Sequence, residues 1–228
     1  MKKIFFGVSL LLIAAVFAGC GFPWGEGAGE PENSRLVELT DSGYYLLQNE
    51  TVIGVYWGVE LENTDEEQAS QPFVLTATAY DESGAAVGSG EVTVESLEAG
   101  ELRGCAGVIT CDAVPATVEY TFDDPAPLGE SDFFFSRESF RLTDVSELKD
   151  DHGVFKETDV TGNITNASET KAESFTVFLL LKKEEQIVFG NAYIGMSLDA
   201  GQKVSFGFTI FDPPEYDSYE LYYSGETE

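Results

Sequence analysis

The sequence predicts an all-β protein with two tandem β-sandwich domains. Three observations lead to this prediction. The chain carries two copies of one sequence pattern, each copy consists of short stretches of alternating apolar and polar residues, and turn-forming residues separate these stretches. No stretch shows a convincing helical period. The 228 residues are 43% hydrophobic, which is enough to build cores for one large or two small domains.

The first 19 residues have the order of a secretory signal. Lys2 and Lys3 precede an apolar run, 4–17, which small residues close. Crossing a hydrocarbon core of roughly 30 Å takes about 20 helical residues, so this run is too short for a transmembrane span. We expect residues 1–19 to be removed on export.

The segment Phe17-Ala18-Gly19-Cys20 resembles the lipobox of bacterial lipoproteins. The resemblance implies that Cys20 receives a diacylglycerol and becomes the first residue of the mature chain. Membrane lipid would then hold the protein on the extracytoplasmic face of the cell membrane, since two acyl chains anchor a protein stably. The alternative is an ordinary signal peptide with a chance cysteine. Residues 20–33 are rich in Gly, Pro and Glu and predict a flexible tether.

The mature chain is strongly acidic. Residues 1–19 contain two lysines and no acidic residue, so the mature chain keeps 12 − 2 = 10 basic and 41 acidic residues, a net charge of 10 − 41 = −31. Such a surface repels phosphate backbones, which excludes nucleic acid as a partner. Solubility and mutual repulsion account for the acidity better than a specific basic partner does.

An internal duplication sets the domain organisation. Three landmarks recur in order: Leu39-Thr40-Asp41 as Leu142-Thr143-Asp144 and Asn63 as Asn166, both at a spacing of 103, and Leu97-Glu98-Ala99-Gly100 as Leu198-Asp199-Ala200-Gly201 at a spacing of 101. A two-residue loop difference after the asparagine explains the change. The chain then divides into a signal peptide (1–19), a lipidated tether (20–33), copy 1 (34–122), a Pro- and Gly-containing linker (123–136) and copy 2 (137–228).

Alternation places strands in both copies. Two sets of apolar residues each predict a strand with one buried face: Val55, Trp57, Val59 and Leu61 in copy 1, and Val204, Phe206, Phe208 and Ile210 in copy 2. The run 175–181 is apolar on both faces, which favours a central strand covered on each side, with a short buried helix as the alternative. Residues 81–84 predict a turn between two strands, and 182–185 take its place in copy 2.

These residues carry a family resemblance. From Val59-Glu60-Leu61-Glu62-Asn63 through Thr78-Ala79-Tyr80-Asp81-Glu82-Ser83-Gly84 to Leu97-Glu98-Ala99-Gly100-Glu101, copy 1 is similar to the FxLYD domain of bacterial lipoproteins. Copy 1 keeps Tyr80-Asp81 of the name motif and has Ala77 and Ala79 at its Phe and Leu positions. Copy 2 keeps Phe178 and Leu180 and has Leu181-Lys182 at its Tyr and Asp positions.

The resemblance implies a small immunoglobulin-like β-sandwich for each copy, in an extracytoplasmic protein. The family has no common activity and no catalytic residues to transfer. The Phe and Leu positions would lie in the core, with Tyr80 at a strand end and Asp81 in the turn that follows.

Cys105 and Cys111 are the only cysteines besides Cys20. Export favours a disulfide between them. Alignment of the copies, however, places both in one extended strand, where six residues separate Cα atoms by about 20 Å, whereas a disulfide needs roughly 4.4–6.8 Å. Gly104 and Gly107 allow the chain to bend. A Cys105–Cys111 disulfide and a buried, reduced Cys105 therefore stand as alternatives.

No reactive constellation can be assembled from the sequence. His152 is the only histidine, so the sequence lacks the further histidines of a multi-histidine zinc site, and a Ser-His-Asp hydrolase would have no other histidine as its base. We favour an exposed turn as the place of His152. A candidate calcium cluster lies at the linker, although a solvated linker is favoured: Asp123, Asp124, Glu130 and Asp132. We predict no catalytic residue, no resident metal and no cofactor.

Two aromatic groups invite a binding interpretation. Four tyrosines near the C-terminus could line a sugar- or protein-binding face, but cross-strand packing is favoured: Tyr216, Tyr219, Tyr222 and Tyr223. The triplet Phe133-Phe134-Phe135 is expected to pack the two copies together or to start copy 2.

The sequence therefore predicts a lipid-anchored, non-enzymatic module that binds an unknown envelope protein or wall polymer through its edge strands and end loops. One alternative is a calcium-dependent solute-binding accessory or a carboxylate-based enzyme. Another is a purely structural spacer.

Overall fold

The computed structural model describes residues 35–49, 51–129 and 137–226. Copy 1 contains six strands: β1 (Val37–Gln48), β2 (Ile53–Asn63), β3 (Phe73–Tyr80), β4 (Ala86–Val94), β5 (Leu102–Cys111) and β6 (Thr117–Thr121). Copy 2 begins with a 3₁₀ turn (Arg137–Ser139) and continues with six strands: β7 (Phe140–Asp151), β8 (Lys156–Asn166), β9 (Ala172–Lys183), β10 (Gln186–Leu198), β11 (Lys203–Phe211) and β12 (Ser218–Glu226).

The two copies share one topology. Copy 1 forms the antiparallel sheets β1-β2-β5 and β4-β3-β6, and copy 2 forms β7-β8-β11 and β10-β9-β12 in the matching order. In each copy the chain crosses from one sheet to the other after the second, fourth and fifth strands, which is the A-B-E and C′-C-F arrangement of an immunoglobulin-like sandwich. The predicted all-β fold with two tandem β-sandwiches is confirmed.

The repeated landmarks form equivalent corners. Asn63 and Asn166 are fully buried, and the side-chain amide of each donates to two or more main-chain carbonyls at 2.8–3.3 Å. Opposite each asparagine lies the turn made by the third landmark, with Gly100 at φ 65° and Gly201 at φ 73°. Glycine adopts this left-handed conformation without the steric cost that a Cβ would bring.

Strand β9 lies one residue out of the predicted alignment. The alignment matched Ala77 to Phe178, but Leu179 is the residue that, like Ala77, faces its own core and stands at the same place in the sheet. Copy 2 is one residue shorter than copy 1 before this strand and one residue shorter in the turn after it. The two-residue difference between the copies is therefore divided between these two places. Because side chains alternate, the one-residue shift turns Phe178 and Leu180 away from the core of copy 2.

The central strand of copy 2 is covered on both sides, as the run 175–181 predicted. Val177, Leu179 and Leu181 belong to the core of copy 2, whereas Phe178 and Leu180 are buried against copy 1. This excludes the helical alternative, and it means that the two copies pack sheet on sheet. Together they form one compact unit.

Strand β2 is also covered on both sides, which corrects the prediction of a single buried face. Its apolar residues fill the core of copy 1 as expected, but copy 2 covers Tyr56, Gly58 and Glu60. The same prediction is correct for β11, where Phe206, Phe208 and Ile210 are buried and the alternate residues are exposed.

The first part of the linker packs on copy 1. The Gln71 N–H donates to the Ala126 carbonyl at 2.8 Å, the Leu128 N–H donates to the Ala69 carbonyl at 2.7 Å, and Ser70 forms a bridge with Pro127. Residues 126–128 therefore extend copy 1 and do not behave as a free spacer.

Candidate functional site

The predicted lipid anchor lies outside the described residues. Cys20 and the rest of the tether (20–33) are not described. Neither are Glu130 and Asp132 of the candidate calcium cluster, nor the triplet Phe133-Phe134-Phe135. Within the part of the chain that is described, no helix is long and apolar enough to cross a membrane.

The cysteines of copy 1 are not bridged, which corrects the disulfide alternative. Cys105 and Cys111 are both buried and free in the continuous strand β5, Cys105 near its middle and Cys111 at its last residue, where they pair with Val59 and Ile53 of β2. The strand keeps them too far apart to bond. Burial raises the pKa of the Cys105 thiol to about 12, so it is a protonated core residue.

His152 lies in the exposed turn between β7 and β8. Its Nε2 is 4.0 Å from Glu157 Oε2, and its ring lies 4.6 Å from the ring of Phe155. No second catalytic group of a hydrolase joins it among the contacts described, and the favoured interpretation as a turn residue agrees with this position.

Asp124 of the candidate calcium cluster binds main-chain groups. Asp124 accepts hydrogen bonds from the N–H groups of Leu36 and Val37, both at 3.2 Å, and so fastens the start of β1 to the end of copy 1. Across 35–49, 51–129 and 137–226, no three His, Cys, Asp or Glu residues are grouped so that they could hold a metal ion.

Three of the four C-terminal tyrosines pack within copy 2. Tyr219 and Tyr223 lie against its core, and the Tyr216 hydroxyl donates to Glu147 Oε1 at 2.6 Å while Lys149 Nζ lies 4.0 Å from the centre of its ring. Tyr222 is different, because its side chain reaches copy 1.

Tyr222 belongs to a buried ion cluster, made of Glu60 from β2, Lys182 from β9, and Glu220 and Tyr222 from β12. Lys182 Nζ lies 2.6 Å from Glu60 Oε1 and 3.2 Å from Glu220 Oε2. The Tyr222 hydroxyl donates to Glu60 Oε1 at 2.7 Å and also contacts Glu220 Oε2. Glu60 and Lys182 are each only 6% exposed, whereas the Glu220 side chain is 40% exposed, so the Glu60–Lys182 pair is the buried ionic link between the copies.

The surroundings in the cluster shift the pKa values of three of its groups, Lys182, Tyr222 and Glu220. Burial alone would lower the pKa of Lys182, but the hydrogen bonds and charges of Glu60 and Glu220 outweigh it and raise that pKa. Burial and then hydrogen bonding to the two glutamates raise the pKa of Tyr222. For Glu220, burial is outweighed by the bonds from Tyr222 and Lys182, which lower the pKa. At neutral pH the cluster therefore contains charged lysine and neutral tyrosine.

Glycines let the two backbones approach closely around this cluster. A Cβ on Gly190 of β10 would lie 2.3 Å from the Trp57 carbonyl oxygen, and one on Gly43 of β1 would lie 1.8 Å from that of Ile187. A Cβ on Gly104 of β5 would meet the ring of Tyr222 at 2.4 Å. No side chain fits at these positions without moving the copies apart.

The equivalent sheet face of copy 2, here called the outer face, carries side chains where copy 1 has glycine. The ladder positions of Gly43, Gly58 and Gly104 correspond to three exposed residues: Ser146, Thr161 and Ser205. Ser146 and Thr161 hydroxyls are 3.1 Å apart, so these side chains bond one another and face solvent.

Exposed apolar side chains collect at one end of copy 2. We call this group the apolar tip, and its members with their exposed fractions are Leu148 (58%), Val154 (83%), Phe155 (37%) and Phe211 (54%). The rings of Phe155 and Phe211 are 6.0 Å apart. A concentration of exposed apolar groups is typical of an interaction surface.

The described part of the molecule also has open grooves, two of which lie beside the strands of copy 1. One, of about 350 Å³, lies at the turn between β1 and β2 and has mainly polar lining. The other, of about 200 Å³, lies between β4 of copy 1 and the sheet β10-β9-β12 of copy 2.

Sequence reasoning missed the ion cluster. The sequence predicts Glu60 on a solvated face and Lys182 in the turn 182–185, but Lys182 lies inside β9. A signal was available in the repeat itself, because copy 1 has glycine at three face positions where copy 2 has serine or threonine. Glycine inside a strand often marks a close approach of another backbone.

The fold and the interface define a class: a duplicated β-sandwich protein whose copies form one body. No family model matches the chain, and no curated protein matches it. Among solved structures it is similar to the N-terminal CBM22-1-CBM22-2 tandem domain of Xyn10C from Paenibacillus barcinonensis, with 10% identity over 84% of this chain and 86% of that chain. The TM-score is 0.19, so this likeness adds nothing to the fold described above.

Proposed function

We propose that the protein is a non-enzymatic extracytoplasmic lipoprotein, anchored through Cys20, whose two copies act as one rigid binding head. The lipobox-like segment and the Gly-, Pro- and Glu-rich tether support the anchor. The proposed ligand is a protein of the cell envelope, bound through the apolar tip.

The observation that carries the proposal is the fusion of the copies. A buried ion cluster and glycine contacts fix one copy against the other, so the tip keeps a constant position relative to the start of copy 1. A flexible spacer has no need of such an interface. A binding head gains from it, because preorganised surfaces lose less entropy on association.

The tip favours a protein over a wall polymer as ligand. Leu148 and Val154 are aliphatic and have no ring face to stack on a sugar, whereas burial in a protein interface would remove their surface from water. Phe155 and Phe211 add the aromatic contact area that is enriched at protein interfaces.

We also propose that copy 1 is an FxLYD-like module. Tyr80 is the last residue of β3, and Asp81 Oδ1 accepts hydrogen bonds from the N–H groups of Ser83 and Ala85 at 2.8 and 3.0 Å, which supports their proposed places at a strand end and turn. In copy 2 the motif residues Phe178 and Leu180 are buried, but against copy 1.

The anchor is tested by comparing wild type with Cys20→Ala by membrane fractionation and intact mass. We expect the variant to leave the membrane fraction and to lose the mass of a diacylglycerol. A variant that stays in the membrane without lipid would contradict the anchor.

The tip is tested by cross-linking in the native envelope. The variant Val154→Ser/Phe211→Ser should lose its cross-linked protein partner, whereas the matched control Val114→Ser/Met196→Ser, which removes two exposed apolar side chains elsewhere, should keep it. Equal capture by both variants would overturn the tip as the binding surface, and capture of wall polymer in place of protein would overturn the ligand class.

A further inference from the structure

Strand β10 lies at an edge of the sheet β10-β9-β12, and its second half is open. Copy 1 covers the first half of this edge, where the Ile187 N–H donates to Asp41 Oδ2 at 3.0 Å. Further along the strand, Ile194 and Met196 are 75% and 88% exposed. An uncovered strand edge that carries apolar side chains is a template for pairing with another strand. This edge continues directly from the contact between the copies.

Copy 1 protects the same part of its own edge strand, β4. The strand registers match Thr93 of β4 to Ile194, and the landmark spacing of 101 matches Glu95 to Met196. A charged side chain at a strand edge opposes pairing with another chain. Copy 2 has apolar residues at both places, and β10 contains no charged residue along its whole length.

The hydrogen-bond pattern of the sheet shows which main-chain groups of β10 point outward. The Lys182 carbonyl of β9 accepts from the Asp217 N–H at 2.8 Å, on the side of β12. Because these groups alternate along a strand, the even-numbered residues of β9 bond to β12 and the odd-numbered ones bond to β10. In β10 the N–H and carbonyl groups of Ala192, Ile194 and Met196 therefore point away from the sheet.

Only a short stretch of this edge is open. The Ala192 N–H donates to the side-chain oxygen of Asn191 at 2.8 Å, so this group is already used. For Ile194 and Met196, the outward N–H and carbonyl groups meet no strand in the described parts of the chain. The edge thus offers the main-chain groups of two residues to an incoming strand.

Two copies of β10 can pair antiparallel in a register that uses these groups alone. A two-fold axis through Gly195 places Ile194 opposite the partner's Met196, and each such pair exchanges both of its N–H···O bonds. A shift by two residues in one direction would need the occupied Ala192 N–H. A shift in the other direction would need the Leu198 carbonyl, which already accepts from the Asn166 amide at 2.8 Å.

Charge also selects this strip for contact with a second copy. The chain carries a net charge of −29, so two molecules repel each other over most of their surfaces. The strand β10 is uncharged, and its exposed Ile194 and Met196 would bury each other's apolar surface in the two-fold register. A second copy of this chain therefore fits the edge in hydrogen bonding, in side-chain pairing and in charge.

We propose that two copies of the chain form a symmetric dimer through the open edge of β10, with Ile194 of each chain opposite the partner's Met196. The two β10-β9-β12 sheets then become one continuous sheet. The apolar tip stays accessible, because β8 begins beside the tip and ends at Asn166, the corner that holds Leu198. The dimer edge and the tip therefore lie at opposite ends of copy 2.

Cysteine pairing in the full-length protein tests the register. Chains with Ile194→Cys and Met196→Cys, one of them carrying an affinity tag, are co-expressed and oxidised in the native envelope. The Cα atoms of a hydrogen-bonded pair lie about 5.5 Å apart, within disulfide range, whereas two like positions would lie about 9 Å apart. The collision control pairs Val52→Cys with Val114→Cys, which are exposed positions elsewhere.

We expect the mixed 194–196 disulfide to form about tenfold faster than either like pair and than the control pair. Cys105 and Cys111 are buried in β5 and do not compete. Equal rates for the mixed and like pairs would overturn the register, and a mixed rate no higher than the control would overturn the dimer. Faster disulfide formation with a different envelope protein would overturn a second copy as the occupant.

Sedimentation of the detergent-solubilised full-length protein gives a second measurement. We expect the wild type to dimerise and Met196→Lys to raise the dissociation constant at least about tenfold, because a charge at a strand edge opposes pairing. Val114→Lys adds the same charge at another exposed position and should dimerise like the wild type. A wild type that stays monomeric, or a Met196→Lys variant that dimerises as tightly as Val114→Lys, would overturn the proposal.

Discussion

Lys182 and Lys183 are adjacent lysines in opposite surroundings. The Lys182 side chain is 7% exposed and contacts Glu60 at 2.6 Å, whereas Lys183 contacts Glu215 at 2.7 Å on the surface. We expect Lys182→Ala to destabilise the fold by about 3–5 kcal/mol, because it leaves Glu60 buried without its cation. Lys183→Ala should leave the free energy of unfolding nearly unchanged, because its ion pair lies in solvent. Urea unfolding measures both, and similar shifts of the two midpoints would contradict the ion cluster.

Asn166 provides a second test at single residues. Its amide donates to the Thr170 and Leu198 carbonyls, both at 2.8 Å, in a fully buried corner. Asn166→Ala should cost about 1–3 kcal/mol, because the carbonyls would lose their donor away from water. Asn163→Ala, at a half-buried position of the outer face whose hydrogen-bond partners Asp144 and Ser205 can turn to water, should lower the melting temperature much less. If both variants melt like the wild type, the corner does not depend on the asparagine.

At the scale of strands, alternation in the sequence was enough to place most elements. Val204 to Ile210 shows the period of two over four apolar residues, and such a local pattern survives in any context that buries one face. The alignment of β9 failed because its apolar run offers no polar residue to fix the register. A run apolar on both faces accepts a one-residue shift without any change in composition.

The close approach of β2 and β10 is tested by Gly58→Thr, which gives copy 1 the residue that copy 2 has at the equivalent position. A Cβ there would lie 2.5 Å from Leu180 Cδ2 and 3.2 Å from Ile187 Cγ2. We expect a loss of about 1–3 kcal/mol from overpacking or separation of the copies. Urea unfolding gives the free energy, and small-angle scattering detects separation as a larger radius of gyration.

The reciprocal change, Thr161→Gly on the outer face, is the control for this variant. It meets no neighbouring copy and should cost no more than roughly 1 kcal/mol, the usual penalty for glycine in a strand. A Gly58→Thr variant as stable and as compact as Thr161→Gly would show that the glycine is not required by the contact.

For the whole molecule, the ion cluster predicts how stability depends on pH. The pKa of Glu220 is lowered, so its contribution is present above its ordinary value of 4.5 and is lost as pH falls through the lowered value. The pKa values of Lys182 and Tyr222 are raised, so their contributions are complete below 10.5 and 10 and are lost as pH rises through the raised values.

The stability that Lys182→Met loses relative to the wild type should therefore be constant between about pH 5 and pH 10 and shrink on either side. Urea midpoints measured across this range provide the comparison. The Lys183→Met variant serves as control, since its exposed ion pair should give a small difference throughout. A Lys182→Met difference that persists unchanged at pH 3 would contradict this assignment.

The contact between the copies could not be predicted from the sequence, although both cores could. Local alternation of apolar and polar residues identifies the core residues. The contact between the copies instead uses Glu60, Gly58 and Lys182, which are residue types that usually face water or weaken a strand. These three residues become buried only because the sheet faces of the two copies, which are distant in sequence, pack together. Glycine at position 58, where copy 2 has Thr161, is the sign of a close contact on that face. This sign can be recognised only when the strand register, which shows which residues share a face, is known.

The order of the copies along the chain also matters during synthesis. Translation delivers copy 1 first, and domains tend to fold as they emerge. Its contact face is built around Gly43, Gly58 and Gly104. It therefore exposes little apolar surface to neighbouring nascent chains. Phe178 and Leu180, the apolar partners on β9, leave the ribosome later, when the surface that covers them can already be folded. If copy 2 were translated first, Phe178 and Leu180 would stay exposed to solvent until copy 1 had been synthesised and folded.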